Sequence, residues 1–152
     1  MQLKEELQED KVVTVLMDLE AFPSPPEDPT DDIVSDLRRR LIGELKALKL
    51  RTQELSQLPE RPSILDIKNG LQAIIKHLNR DGYRVLLLLD EIEYLTPADR
   101  IDIAEGDMPR IAQLLSALRS IVQESENFTF VLSGLTSAIV EGGRLYGRPN
   151  PL

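Results

Sequence analysis

The 152-residue chain has no cysteine, a single histidine and few basic residues. Without cysteine it forms no disulfide and no thiolate metal site, which fits a reducing compartment. The one histidine, His77, has no nucleophile or ligand partner near it in sequence and reads as an ordinary surface or boundary residue. Lys and Arg number 18 against 26 Asp and Glu, a net charge of −8. That balance argues against nonspecific binding to nucleic acid or to an anionic membrane as the main role, while leaving room for a local basic patch. No apolar run approaches the ~18 residues of a membrane span. The acidic start, Met1 to Leu7, also lacks the apolar core of a secretion signal. The expected location is therefore the cytoplasm, with no membrane partner.

What is present is ordinary for a folded domain: 41% hydrophobic and 29% charged residues. The most informative stretch runs from Arg84 to Leu95. Five consecutive aliphatics, Val85 to Leu89, leave no polar side, as in a central strand of a parallel sheet covered by helices. The run stops on Asp90 and Glu91. Unpaired carboxylates are costly to bury, so both belong where the strand emerges, at the carboxyl edge where open α/β sheets place ligands. Two adjacent acids there suit phosphate chemistry. The first can hold Mg²⁺ directly or through water, and the second can orient or deprotonate a water.

These residues resemble the Walker B element of P-loop NTPases, in the AAA+ and STAND branch. The resemblance continues along the second half of the chain. Leu114 to Glu124 is similar to the helix after Walker B, and Phe128 to Gly134 to the next strand, which carries the sensor 1 position near its end. Gly147 to Leu152 also resembles that group. One element is missing: the chain contains no G-x-x-x-x-G-K-[ST], the loop whose amides and lysine hold nucleotide phosphates. Gly43 and Gly70 each open a helical stretch without the rest of that pattern. In the family the loop precedes the strand resembling Val12 to Asp18, which would put it upstream of Met1. Residues 1–152 are thus expected to be a single partial AAA-like ATPase domain.

Taken in order, Gln2 to Asp10 can form a short helix, and Val12 to Met17 a strand ending at Asp18. The prolines between Phe22 and Pro29 impose an exposed connection. A helix is expected from a Thr30 N-cap to about Leu55, burying Ile33, Leu37, Leu41, Leu45 and Leu48, with Arg38 to Arg40 as a solvated face. Ser63 to Asp66 has the form of a capping box that opens a second helix, stopped at Asp81-Gly82. Thr96 to Asp99 starts a short turn of helix. A further helix spans Met108 to about Ser125, a strand Asn127 to Ser133, and a helical turn or two Thr136 to Glu141. Three apolar strands separated by amphipathic helices indicate an α/β fold with a parallel sheet and right-handed crossovers. The resemblance implies a three-layer sandwich, a partial P-loop NTPase core. In it the Val12 strand lies outermost, the Arg84 strand beside it and the Asn127 strand next.

The function that the resemblance implies is ATP binding and hydrolysis by the parent domain, serving a regulatory switch. Asp90 would coordinate Mg²⁺ through water, and Glu91 would polarise the attacking water. Ser133 or Thr136 would sense the γ-phosphate, and Arg144 and Arg148 could reach phosphate in the same or a neighbouring subunit. The partners implied are nucleotide in the intact domain and a second copy of the chain, paired through the Asn127 strand. Two alternatives stand beside this. One is a Mg²⁺-dependent phosphoryl or phosphodiester enzyme using Asp18, Asp90 and Glu91. The other is a degenerate, non-catalytic NTPase module.

Overall fold

Each of the three apolar runs becomes a strand. The computed structural model describes residues 10–23, 27–92 and 110–134, together with the backbone of 144–145 and 148–149. The strands are β1 (Val12–Asp18), β2 (Arg84–Asp90) and β3 (Phe128–Leu132), paired in parallel in the order β1-β2-β3. The helices are α1 (Thr30–Ala47), α2 (Gln53–Ser56), α3 (Ile64–Arg80) and α4 (Arg110–Glu124). β4 (Arg144–Leu145) and β5 (Arg148–Pro149) pair antiparallel as a second, two-stranded sheet. Among the described residues no helix is long and apolar enough to cross a membrane.

Successive strands step in one direction across the sheet, so right-handed crossovers deliver their helices to one face. The contacts agree: α1 packs on β1, α3 on β2 and α4 on β3, and these three helices touch one another. Their shared core is built by period-2 alternation in the strands. Val13, Val15 and Met17 of β1, Val85, Leu87 and Leu89 of β2, and Phe128 of β3 are all buried. Helical spacing supplies the other side, with Ile67, Leu71, Ile74, Ile75 and Leu78 of α3 buried against the sheet layer. Each such side chain contributes about 1.5–3 kcal/mol relative to exposure.

The opposite face of the sheet is less covered than the unbroken aliphatic run implies. Leu86 and Leu88 are only half-buried there, while Leu16 is 55% and Val131 46% exposed. Thr14 on that face is buried. The second helical layer of the expected sandwich does not occur among the described residues. The segments read as a short helix at Gln2 to Asp10, a turn at Thr96 to Asp99 and a turn at Thr136 to Glu141 lie outside them.

Helix ends follow local chemistry, with two departures from the sequence reading. Thr30 is the first helical residue rather than the N-cap, and Asp28 does the capping. Its Oδ1 accepts from Thr30 N at 3.0 Å and from Thr30 Oγ1 at 2.6 Å. The first helix also stops at Ala47 instead of near Leu55. Lys49 turns left-handed at φ 58°, and Leu50 N closes onto Leu45 O at 2.8 Å. The chain then resumes as the four-residue α2, whose Leu55 is buried and accepts at its carbonyl from Arg38 Nε at 2.9 Å. The Ser63–Asp66 capping box is formed, with both reciprocal hydrogen bonds in place. Gly82 takes φ 77° just before β2, a conformation that glycine adopts without strain.

Candidate functional site

Strand register decides what stands at the carboxyl edge. Asp18 and Asp90 are direct partners across β1 and β2, and Leu89 pairs with Leu132, which sets Ser133 beside Asp90. Ser133 Oγ donates a short hydrogen bond to Asp90 Oδ1. The same oxygen accepts from Glu91 N at 3.0 Å. One oxygen of Asp90 is thus held by two donors. Among the described residues nothing hydrogen-bonds its Oδ2.

Glu91 leaves the ladder. The alternation set by Val85 N donating to Asn127 O would bring Glu91 N–H to Ser133 O. Glu91 instead sits at φ 58° and turns its N–H to Asp90, while Ile92 N takes the Ser133 carbonyl at 3.1 Å. The effect is that of a bulge, one extra residue that re-aims a side chain at the end of a strand. Ile92 is buried at 4% exposure and anchors the chain beyond the turn. For a side chain with a Cβ the left-handed conformation costs about 1–2 kcal/mol.

The sequence-derived candidates therefore divide. Asp90, Glu91 and Ser133 come together at the ends of β2 and β3. Thr136 lies outside the described residues, and for Arg144 and Arg148 only the strand backbone is described. Asp18 is adjacent in register, but its Oδ1 accepts from Glu20 N at 3.0 Å and caps the turn Leu19–Ala21. Among the described residues no three His, Asp or Glu side chains converge in a way that could hold a metal ion. The donor set at Asp90, one carboxylate oxygen beside a hydroxyl, suits Mg²⁺ held through its water shell rather than in a protein cage.

Asn127 is a residue whose role the sequence did not reveal. It is 7% exposed, and its Nδ2 donates to Ile75 O at 3.0 Å and to Tyr83 O at 3.1 Å. These bonds tie the start of β3 to α3 and to the approach of β2, six positions before Ser133. The register that delivers Ser133 to Asp90 is pinned there. The sequence pattern makes Asn127 the first residue of the strand, which starts instead at Phe128, and only the fold reveals its two distant carbonyl partners.

Other polar groups are structural. His77 is a half-buried boundary residue whose Nε2 lies 3.1 Å from the carboxylate of Glu54, which Arg51 also meets at 2.7 Å. Arg38 donates to the carbonyls of Leu55 and Ser56, and Arg39 and Arg40 both bind Asp36, so this triplet is tied down rather than merely solvated. A cavity of about 740 Å³ lies along α1 between Phe22 and Arg61, with none of Asp90, Glu91 or Ser133 in its wall. Comparison with protein-family models, with curated proteins and with solved structures found no match to this chain.

Proposed function

We propose that the chain is part of an ATP-binding and ATP-hydrolysing domain of the P-loop NTPase class, of AAA+/STAND type, working as a regulatory switch in the cytoplasm. The observation that supports it best is the junction of β2 and β3. A central apolar strand ends in Asp90, a neighbouring strand's Ser133 fixes that carboxylate, and Glu91 is turned out of the ladder directly after it. The three-layer sandwich belongs to the same reading, with the parent domain's further strand beyond β3 and its further helices over the face that carries Leu16 and Val131.

Mg²⁺ bound with ATP would supply charge neutralisation on the phosphates. Asp90 would hold that ion through water with Oδ2, its Oδ1 being held by Ser133 and the Glu91 amide. Glu91 would orient and deprotonate the attacking water. Ser133 or Thr136 would be the sensor, Ser133 being the one of the two among the described residues; Arg148 and Arg144 would reach phosphate. The chain's sequence holds no phosphate-gripping loop. By itself it should therefore bind Mg-ATP no better than weakly, since the amide cradle and lysine supply most of the phosphate contacts.

The test joins these 152 residues to whatever sequence is encoded ahead of Met1 and measures ATP binding and turnover. Glu91→Gln should leave binding nearly intact and slow turnover by roughly 10²–10⁴-fold, the range for a general base. Unchanged turnover in that variant, or no phosphate loop ahead of Met1, overturns the reading. The absence of turnover together with a stable fold would point to the degenerate module. A direct carboxylate cage is the less supported alternative, because Asp18 is occupied as a turn cap.

A further inference from the structure

The two edges of the sheet are finished differently. At the β1 edge, Arg40 Nη1 donates to the Leu16 carbonyl at 3.2 Å, and α1 packs against the strand. At the β3 edge no described residue does the same. Asn127 O, Ser133 N and Ser133 O all face β2, so alternation turns the backbone groups of Phe128, Phe130 and Leu132 outward. Natural edges are blunted by proline, lysine, an inward charge or a bulge, and Phe128–Leu132 contains no proline and no charged residue. The face beside it is apolar too, with Val131 46% exposed and Leu88 half-buried.

We propose that a second copy of this chain pairs with that edge, antiparallel, about a two-fold axis at Phe130. This arrangement uses the outward groups completely. Phe130 meets its own counterpart, and Phe128 meets Leu132 of the other copy. Each of these is a hydrogen-bonded pair that exchanges both N–H···O bonds. The occupant is a second copy because the edge is complementary to itself in this register. Phe128–Leu132 also carries no charged residue, so pairing in this register sets no like charges opposite one another within the strand. The result is a continuous six-stranded sheet in which Thr129 of one copy lies opposite Val131 of the other, on the less covered face. The pairing needs no nucleotide; it takes the same edge at which the ATPase reading places a further strand, so the two compete there, and it concerns the 152-residue chain itself.

Sedimentation equilibrium of the 152-residue chain, without nucleotide, tests it. The expected mass rises with concentration from 17.1 kDa toward twice that value. Because residue 129 faces residue 131 across the axis, charge can be used to read the register. Thr129→Lys with Val131→Lys sets like charges opposite one another twice and should weaken association about tenfold. Thr129→Lys with Val131→Glu sets opposite charges there and should restore it. Both side chains are exposed, and circular dichroism checks that each variant is folded. A monomer at every concentration overturns the proposal. So does equal association of the two double variants, which would mean that the copies meet elsewhere.

Discussion

Removing the Asn127 amide tests how β3 is held. Its two hydrogen bonds, at 3.0 Å to Ile75 O and 3.1 Å to Tyr83 O, lie in or beside the core. Each such bond contributes about 1 kcal/mol net, and a buried acceptor left short costs somewhat more. With the loss of buried contacts, Asn127→Ala should destabilise by about 2–3 kcal/mol, or roughly 5–10 °C in Tm for a chain of this size. Asn127→Asp has the same shape and is the sharper probe. It replaces the donor with an oxygen aimed at two carbonyl oxygens, in a place where a charge is poorly solvated. The expected cost at pH 7 is about 3–5 kcal/mol. Burial and the carbonyl oxygens should raise the new carboxyl's pKa in the folded state above the unfolded value of about 3.9. The penalty is then full above the folded pKa and fades as pH falls through it, because the protonated acid can donate one hydrogen bond. Urea unfolding of the three proteins at pH 7 and pH 5, followed by circular dichroism, measures both effects. An alanine variant within 0.5 kcal/mol of the parent, roughly the limit for a site without structural work, refutes the stitching role. A deficit in the aspartate variant that does not shrink at pH 5 refutes the argument from charge.

Burial would push the Asp36 carboxyl up, but hydrogen bonds from Arg39 and Arg40 outweigh it and hold the group below its usual 3.8. Its stabilising contribution is full above the unfolded pKa and lost as pH falls through the lowered folded value. Asp36→Asn should therefore cost about 1–2 kcal/mol at pH 7 and flatten the fall in stability below about pH 4; urea midpoints at pH 7 and pH 3 that change in parallel with the parent would refute it. At position 91, glycine should give a more stable chain than alanine by about 1 kcal/mol, because both lack the carboxylate and only alanine keeps a Cβ in the left-handed region. The reverse order in thermal denaturation would mean that Glu91 is not held left-handed in solution.

What the sequence revealed was whatever is periodic or local. Alternation and helical spacing gave three strands, their order followed the resemblance, and Ser63 and Gly82 marked helix ends because their chemistry acts within a few residues. What stayed hidden depends on partners far along the chain or on conformations that no residue type demands. Asn127 binds carbonyls 52 and 44 positions away, and His77 meets Glu54 across a helix pair. The break at Lys49 is made by a lysine in a glycine-like conformation, so the apolar stripe from Ile33 to Leu48 appeared to run on. An unbroken run such as Val85 to Leu89 says that a strand is apolar on both faces. It does not say that both are equally covered, and here the Leu86 and Leu88 side is not.

The order of the two acids is the part of the site that the structure makes meaningful. Asp90 is the last residue in register with β1, and its direction is set by Ser133 from the neighbouring strand and by the amide that follows it. A carboxylate fixed in this way can present only its other oxygen, which suits a static task such as ordering the water around a cation. Glu91 has the opposite setting. The left-handed turn removes it from the ladder, and Ile92 closes the sheet behind it. On the proposed reading, Glu91 is the acid that orients the attacking water. On that reading the two are not interchangeable, because glutamate at 90 is one methylene too long for the hydroxyl bond that fixes Asp90. Strand register and one left-handed residue thus give two neighbouring acids of the same charge different settings.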